Sequence, residues 1–112
     1  MRPFGIETEG RGAAVVLSLT GDLDLSSAEE AERGIDEAMA GRPELLVLDL
    51  SGLEFMDSSG LRVVVNAHRH AQEDGRRVAI VKGPQIVQRV FEITRLAERM
   101  SFVDSLDDVR YD

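Results

Sequence analysis

Asp57-Ser58-Ser59-Gly60 places a carboxylate, two hydroxyls and a glycine directly ahead of an apolar stripe. Residues of these types start helices, because their side chains accept from backbone N–H groups that the first turn leaves free. The stripe that follows, Leu61, Val64, Val65 and His68, recurs at i, i+3, i+4 and i+7, one face of a helix. Two placements of the cap differ chemically. With Asp57 as N-cap, Met56 and Leu61 stand at N′ and N4, the positions of a hydrophobic staple, and Ser58 is left at N1 with its hydroxyl unused. With Ser58 as cap, that oxygen is consumed by the backbone and the staple is lost. The staple favours Asp57, which makes Ser58 a presented hydroxyl at the positive end of a helix dipole. The plain structural reading, a cap and nothing more, fits the same four residues.

Other chemistries find less support. A serine nucleophile of the strand-to-helix type wants G-x-S-x-G and a positioned histidine; here no glycine precedes the serines at that spacing. His68 and His70 are two residues apart and point to different helix faces, so His68 reads as a core-edge residue and His70 as a solvated one. The acidic residues are scattered, so no metal site is expected, and Gly52, Gly60 and Gly75 are too far apart for a phosphate-cradling loop. No basic cluster is evident along the chain. The expectation is a protein that is not an enzyme and carries no cofactor or metal.

Composition narrows the class further. The chain has 112 residues, a net charge of −8 and no cysteine, which excludes disulfides, thiolate nucleophiles and zinc–thiolate clusters. Strong acidity argues against nucleic acid as partner, since phosphate binding needs a basic footprint. No apolar run approaches membrane-spanning length, so no membrane role is expected and a cytoplasmic location is the default. Residues 1–112 are expected to form one domain.

The elements that must hold the corner follow from periodicity. Phe4 to Glu9, a turn at Gly10-Arg11-Gly12, and Ala13 to Thr20 read as an antiparallel hairpin, closed by Gly21-Asp22-Leu23-Asp24. Ser26 and Ser27, followed three residues on by Glu29 and Glu30, offer two overlapping capping boxes for a helix with Ala28, Ala31, Ile35, Ala38 and Met39 inward. Gly34 weakens it, and Gly41 and Pro43 stop it. Leu45 to Leu48 is a strand covered on both faces, joined by a short loop to the helix that closes at Asp74-Gly75. Arg77 to Val81 is another strand. Pro84 at N1 starts a helix burying Ile86, Val87, Val90, Phe91 and Thr94. Phe102-Val103 reads as an edge strand, and Ser105 starts a short terminal helix. The pattern is α/β: an N-terminal hairpin, then alternating helices and strands, giving a mixed sheet of four or five strands. Sites in such sheets gather at strand C-terminal ends, where the turn after Thr20 and the corner after Leu48 are expected side by side.

Phe55-Met56-Asp57-Ser58-Ser59-Gly60-Leu61, after the strand ending Leu48-Asp49-Leu50, resembles the STAS-domain anti-sigma-factor antagonists of bacteria. The likeness extends to Leu19-Thr20-Gly21-Asp22-Leu23-Asp24 upstream and to Val87-Gln88-Arg89-Val90-Phe91-Glu92-Ile93-Thr94 downstream, in the family's order. It implies a STAS-like fold with helices largely on one face of the sheet. It implies that Ser58 is phosphorylated by a partner anti-sigma factor, itself a serine kinase of the histidine-kinase-like ATPase type. The unphosphorylated form would bind that factor and release the sigma factor; phosphorylation would switch binding off, and a metal-dependent serine phosphatase would reset it. The partner-binding surface so implied takes in Asp22, Asp24, Asp57, Ser58, Ser59, Gly60, Leu61 and Arg62.

Three positions depart from the family pattern. Arg95 stands where many relatives have glycine after the helix, a position suited to a left-handed residue, so arginine is either strained or shifts the helix end. The last helix is short, leaving part of one sheet face less covered. Arg62, where some relatives have glycine, puts a cation one turn from Ser58. Two alternative roles stay open at this level: a STAS interaction module of a signalling scaffold or transport complex, and a small-ligand sensor for a nucleotide or lipid.

Overall fold

The computed structural model of the chain describes residues 2–111. The strands are β1 (Gly5–Arg11), β2 (Ala14–Leu23), β3 (Leu45–Met56), β4 (Arg77–Val81) and β5 (Phe102–Val103). The helices are α1 (Ala28–Ala40), α2 (Ser58–Glu73) and α3 (Gln85–Ile93). Spatial order follows chain order, β1-β2-β3-β4-β5, with β1 antiparallel to β2 and every later pairing parallel. This is the mixed sheet that the sequence pattern leads to, at the five-strand limit.

The period-two alternation of the strands sorts the core into two layers. Val15, Leu17, Leu19, Leu46, Leu48, Leu50 and Ile80 share one cluster with the buried residues of all three helices, so α1, α2 and α3 lie on one face. Ala14, Val16, Leu45, Val47 and Val81 point the other way, where Val109, with Leu106 and Tyr111 half-buried, covers them. Two-sided cover is why Leu45 to Leu48 is apolar without alternation. The terminal helix expected from Ser105 shrinks to a 3-10 turn, Leu106–Asp108, held by a reciprocal Ser105–Asp108 capping box. A second 3-10 turn spans Leu96–Arg99.

The central strand is longer than its apolar run suggested. Instead of a loop, β3 continues to Met56 because β2 continues beside it to Leu23. Thr20 pairs with Gly52, Gly21 with Leu53, Asp22 with Phe55 and Leu23 with Met56, across irregularities at Ser18/Thr20 and Gly21/Asp22. Irregular pairing breaks the strict alternation that sequence reading relies on. Gly21 has φ +77°, and a Cβ there would lie 1.9 Å from the carbonyl oxygen of Pro3, so the N-terminal segment crosses at this point. The last β3–β4 pair is Asp49–Val81, so β2 and β3 outrun the rest of the sheet and carry the corner beyond it.

The helices differ from expectation in their ends. Ser27 is the N-cap of α1 but makes no capping bond, so neither expected capping box forms. Its hydroxyl is buried and bonds backward into the preceding turn instead. Gly34 is not merely a weak point: a Cβ there would meet Ile6 Cδ1 at 2.6 Å, so the glycine lets α1 lie against β1. Gly41 ends α1 with φ −75°, and Arg42 takes the left-handed place at φ 55°. Pro84 is the N-cap of α3, one position earlier than expected, because its extended ψ of 167° keeps it outside the helix. In α3, Val87 and Phe91 are buried and Val90 half-buried. Ile86 is 54% exposed and Thr94 is exposed, both against expectation. A helix of nine residues has room for a narrow buried stripe, and Thr94 turns its hydroxyl back to the carbonyls of Val90 and Phe91. Phe91 meets Phe102 edge to face at 5.1 Å, which ties α3 to β5. Arg95 adopts φ 62°, so the helix end stays in place and the residue carries the strain.

Candidate functional site

At the corner, Asp57 leaves β3 in an extended conformation and its carboxylate turns onto the first turn of α2. Oδ1 accepts from the N–H of Ser59 at 2.8 Å and of Gly60 at 3.1 Å, so Asp57 is the N-cap. Met56 and Leu61, the expected staple, are both buried in the main core. Ser58, between them at N1, is exposed, and its hydroxyl enters none of the hydrogen bonds of the corner. Ser59 is half-buried. Gly60 is buried, and a Cβ there would lie 2.4 Å from the carbonyl oxygen of Leu23 and 2.6 Å from Met56 Cγ. Glycine therefore lets the helix start press against β2, and any side chain would lift it away.

The second segment lies directly alongside. The backbone N–H of Asp57 donates to the carbonyl of Leu23 at 3.3 Å, which brings Asp22–Asp24 against the cap as the strand-end argument anticipates. The Asp22 carboxylate accepts from Arg2 Nε at 3.0 Å and is largely shielded. The Asp24 carboxylate accepts from Ser26 N–H at 3.0 Å and Ser26 Oγ–H at 2.6 Å. Those bonds, the Ser26 hydroxyl foremost, hold Asp24 below the ordinary carboxylate value. Ser27 closes the turn: its hydroxyl donates to the carbonyl of Asp22 at 2.8 Å and accepts from the N–H of Asp24 at 3.0 Å.

Of the eight residues expected at the partner surface, Ser58 and Arg62 are exposed. Asp22, Asp24, Asp57 and Ser59 are partly so, and Gly60 and Leu61 are buried beneath them. Arg62 lies four residues after Ser58 on α2, one turn along the same face. Sequence reasoning missed Arg2 and Ser27. The Asp24-x-Ser26-Ser27 spacing, which permits side-chain turns as well as capping boxes, was the available signal for Ser27.

Elsewhere, His68 is buried on α2 with Nε2 lacking a partner among the described residues, and burial lowers its pKa from the usual imidazole value. A groove of about 370 Å³ runs between α1 and α2, floored by Ile35, Met39, Val63 and Ala67 and rimmed by Glu32, Asp36, Glu73 and Asp74; it contains no residue of the corner. Among the described residues no His, Asp and Glu cluster could hold a metal ion, and no helix is long and apolar enough to cross a membrane.

The STAS domain family matches residues 5–109. An anti-sigma F factor antagonist of Paenibacillus polymyxa is 31% identical over 101 residues, covering 89% of this chain and 86% of that protein. A solved anti-sigma factor antagonist of Mycobacterium paratuberculosis superposes with a TM-score of 0.88 at 25% identity, covering 95% of this chain and 90% of that one. The Bacillus cell fate determinant SpoIIAA, solved in its phosphorylated form, superposes with a TM-score of 0.70 at 25% identity, over 96% of this chain and 100% of that one.

Proposed function

The chain belongs to the STAS domain family, and from that premise we propose that it is an anti-sigma factor antagonist controlled by phosphorylation of Ser58. One observation carries the reading: Asp57 caps α2 and so leaves the exposed Ser58 hydroxyl without a structural task. The likeness to antagonists, one of them solved in a phosphorylated form, supports it.

In this reading the unphosphorylated chain, one cytoplasmic domain, docks on a kinase-type anti-sigma factor through the corner and the Asp22–Asp24 turn, and the sigma factor is released. The partner supplies ATP and the catalytic base. Ser58 Oγ attacks the γ-phosphorus, an O–P bond forms as the bond to ADP breaks, and the hydroxyl proton passes to the partner's base. A metal-dependent serine phosphatase hydrolyses the ester and restores the hydroxyl. The chain itself is substrate and ligand, not an enzyme. The phosphate adds about −1.5 to −2 charges beside Asp57 and Asp24. Docking would then desolvate a dianion, and burying an unpaired charge strongly opposes association.

The test is incubation with a kinase-type anti-sigma factor and ATP, followed by phosphate mapping by mass spectrometry. One phosphate on Ser58 is expected. A phosphate on Ser59 in the unmutated chain overturns the assignment.

A further inference from the structure

Arg76, Arg77 and Arg110 come together where sequence reading found no basic cluster, around an open cavity of about 590 Å³ at the N-terminal ends of β3 and β4. Leu45 and Arg77, register partners at the start of those strands, mark its position. Two of the guanidinium groups, those of Arg76 and Arg77, are held by backbone carbonyls. Arg76 Nη1 donates to Pro43, and Arg77 Nη1 donates to the carbonyl of Arg110 at 3.3 Å. Arg76 Nε is buried and has no acceptor among the described residues. None of the three takes part in the ion pairs among the described residues, which are Arg2–Asp22, Arg11–Glu9 and Lys82–Asp104. Among the described residues Asp108 is the one carboxylate of the lining, and its Oδ2 is engaged by the N–H of Ser105 at 3.2 Å. Gln72 and Ser101 add neutral hydrogen-bonding groups.

Gathering three cations around one mouth carries a mutual repulsion that a bound anion would relieve. In a chain of net charge −8, this local excess is not explained by solubility. We propose that the cavity binds a small soluble phosphate dianion, either free phosphate or a phosphomonoester. Planar guanidinium forks match phosphate oxygens, and among the described residues of the lining cations outnumber carboxylates. A lipid surface fits less well: the exposed large apolar residues Leu25, Ile86 and Ile93 all lie outside the lining. The cavity is at the opposite end of the 12-residue β3 from Ser58, so its occupant leaves the corner free.

The experiment is a titration of the isotope-labelled full chain, followed by amide shifts, with sodium phosphate, glycerol phosphate and, at matched ionic strength, sodium chloride. Saturable shifts at Arg76, Arg77, Ser101 and Arg110 with both phosphates, and not with chloride, are expected. Arg110→Ser should weaken binding about tenfold or more, as the loss of a charge-assisted hydrogen bond does. Arg33→Ser, an exposed change on α1 outside the lining, should leave binding unchanged. If Arg110→Ser fails to fold, Arg77→Gln makes the same comparison. Unsaturable shifts shared with chloride, or equal binding by the Arg33 and lining variants, overturn the proposal. So does sedimentation with phosphatidic acid vesicles by a chain that ignores both soluble phosphates.

Discussion

Asp57→Ala tests the geometry on which the Ser58 assignment depends. The substitution removes one acceptor oxygen that serves two donors, the N–H groups of Ser59 and Gly60. Losing an N-cap carboxylate typically costs ~1 kcal/mol, within a range of about 0.5–2. Gly60 is buried, so water replaces the acceptor poorly at its N–H, whereas half-buried Ser59 is rehydrated more easily. The loss therefore belongs in the upper half of the range, about 1–2 kcal/mol. With a urea m-value of about 2 kcal/mol/M for a small domain, the midpoint should fall by roughly 0.5–1 M at unchanged m. Asp57→Asn keeps an acceptor at the same place and should recover most of the loss. Urea unfolding followed by circular dichroism reads all three proteins. An unchanged midpoint for Asp57→Ala would refute the reasoning, because Ser58 would then be the cap that holds the turn.

Three further outcomes follow from other parts of the fold. Ser58→Ala should abolish phosphorylation yet keep affinity for the anti-sigma factor by titration calorimetry, and equal affinity for the unmodified and stoichiometrically phosphorylated chain would rule out the switch. Arg95→Gly should raise the thermal midpoint by a few degrees, since it relieves roughly 1–2 kcal/mol of left-handed strain at φ 62° at the expense of some unfolded-state entropy. His68, lowered by burial, binds a proton less readily folded than unfolded, so its contribution to stability is full above the unfolded pKa of about 6.5. That contribution is lost as pH falls from there toward the folded pKa, and a His68→Leu variant should show a smaller drop in urea midpoint between neutral and mildly acidic pH.

What the sequence disclosed, and what it withheld, divides along a physical line. Local signals were enough for the hairpin, the two-sided strand, the Asp57 cap and its staple, because each depends on neighbours a few residues apart. The extension of β2 to Leu23 and β3 to Met56 depends on pairing across the sheet through two irregularities, which no local pattern encodes. Ser27 illustrates the competition. Its sequence context offers a capping box, but its hydroxyl is buried against the Asp22–Asp24 turn, and that tertiary contact wins. Gly34 reads as a defect until Ile6 of β1 is placed against it. The three arginines are invisible in sequence for the same reason: two are adjacent in the chain and the third is brought to them only by the closing segment over the sheet.

The order Asp-Ser at the corner would make the proposed switch compatible with a stable fold. Asp57 occupies the N–H groups of Ser59 and Gly60, and its own carbonyl accepts from Leu61 in the first helical bond. The Ser58 N–H is the donor of that turn left outside these bonds. A phosphate on Ser58 would therefore arrive at a helix N-terminus that welcomes negative charge by roughly 0.3–1 kcal/mol, with its own N–H nearby and Arg62 one turn along. Nothing in the cap has to break. If Ser58 were the cap, modification would remove an acceptor from the turn and unfolding of the helix start would accompany the signal. With Asp57 as the cap, the added charge would be felt by a partner docked on the corner while the domain beneath it stayed folded. Circular dichroism of the phosphorylated chain should therefore match that of the unmodified one, and loss of helical signal on phosphorylation would show that the cap had been misassigned.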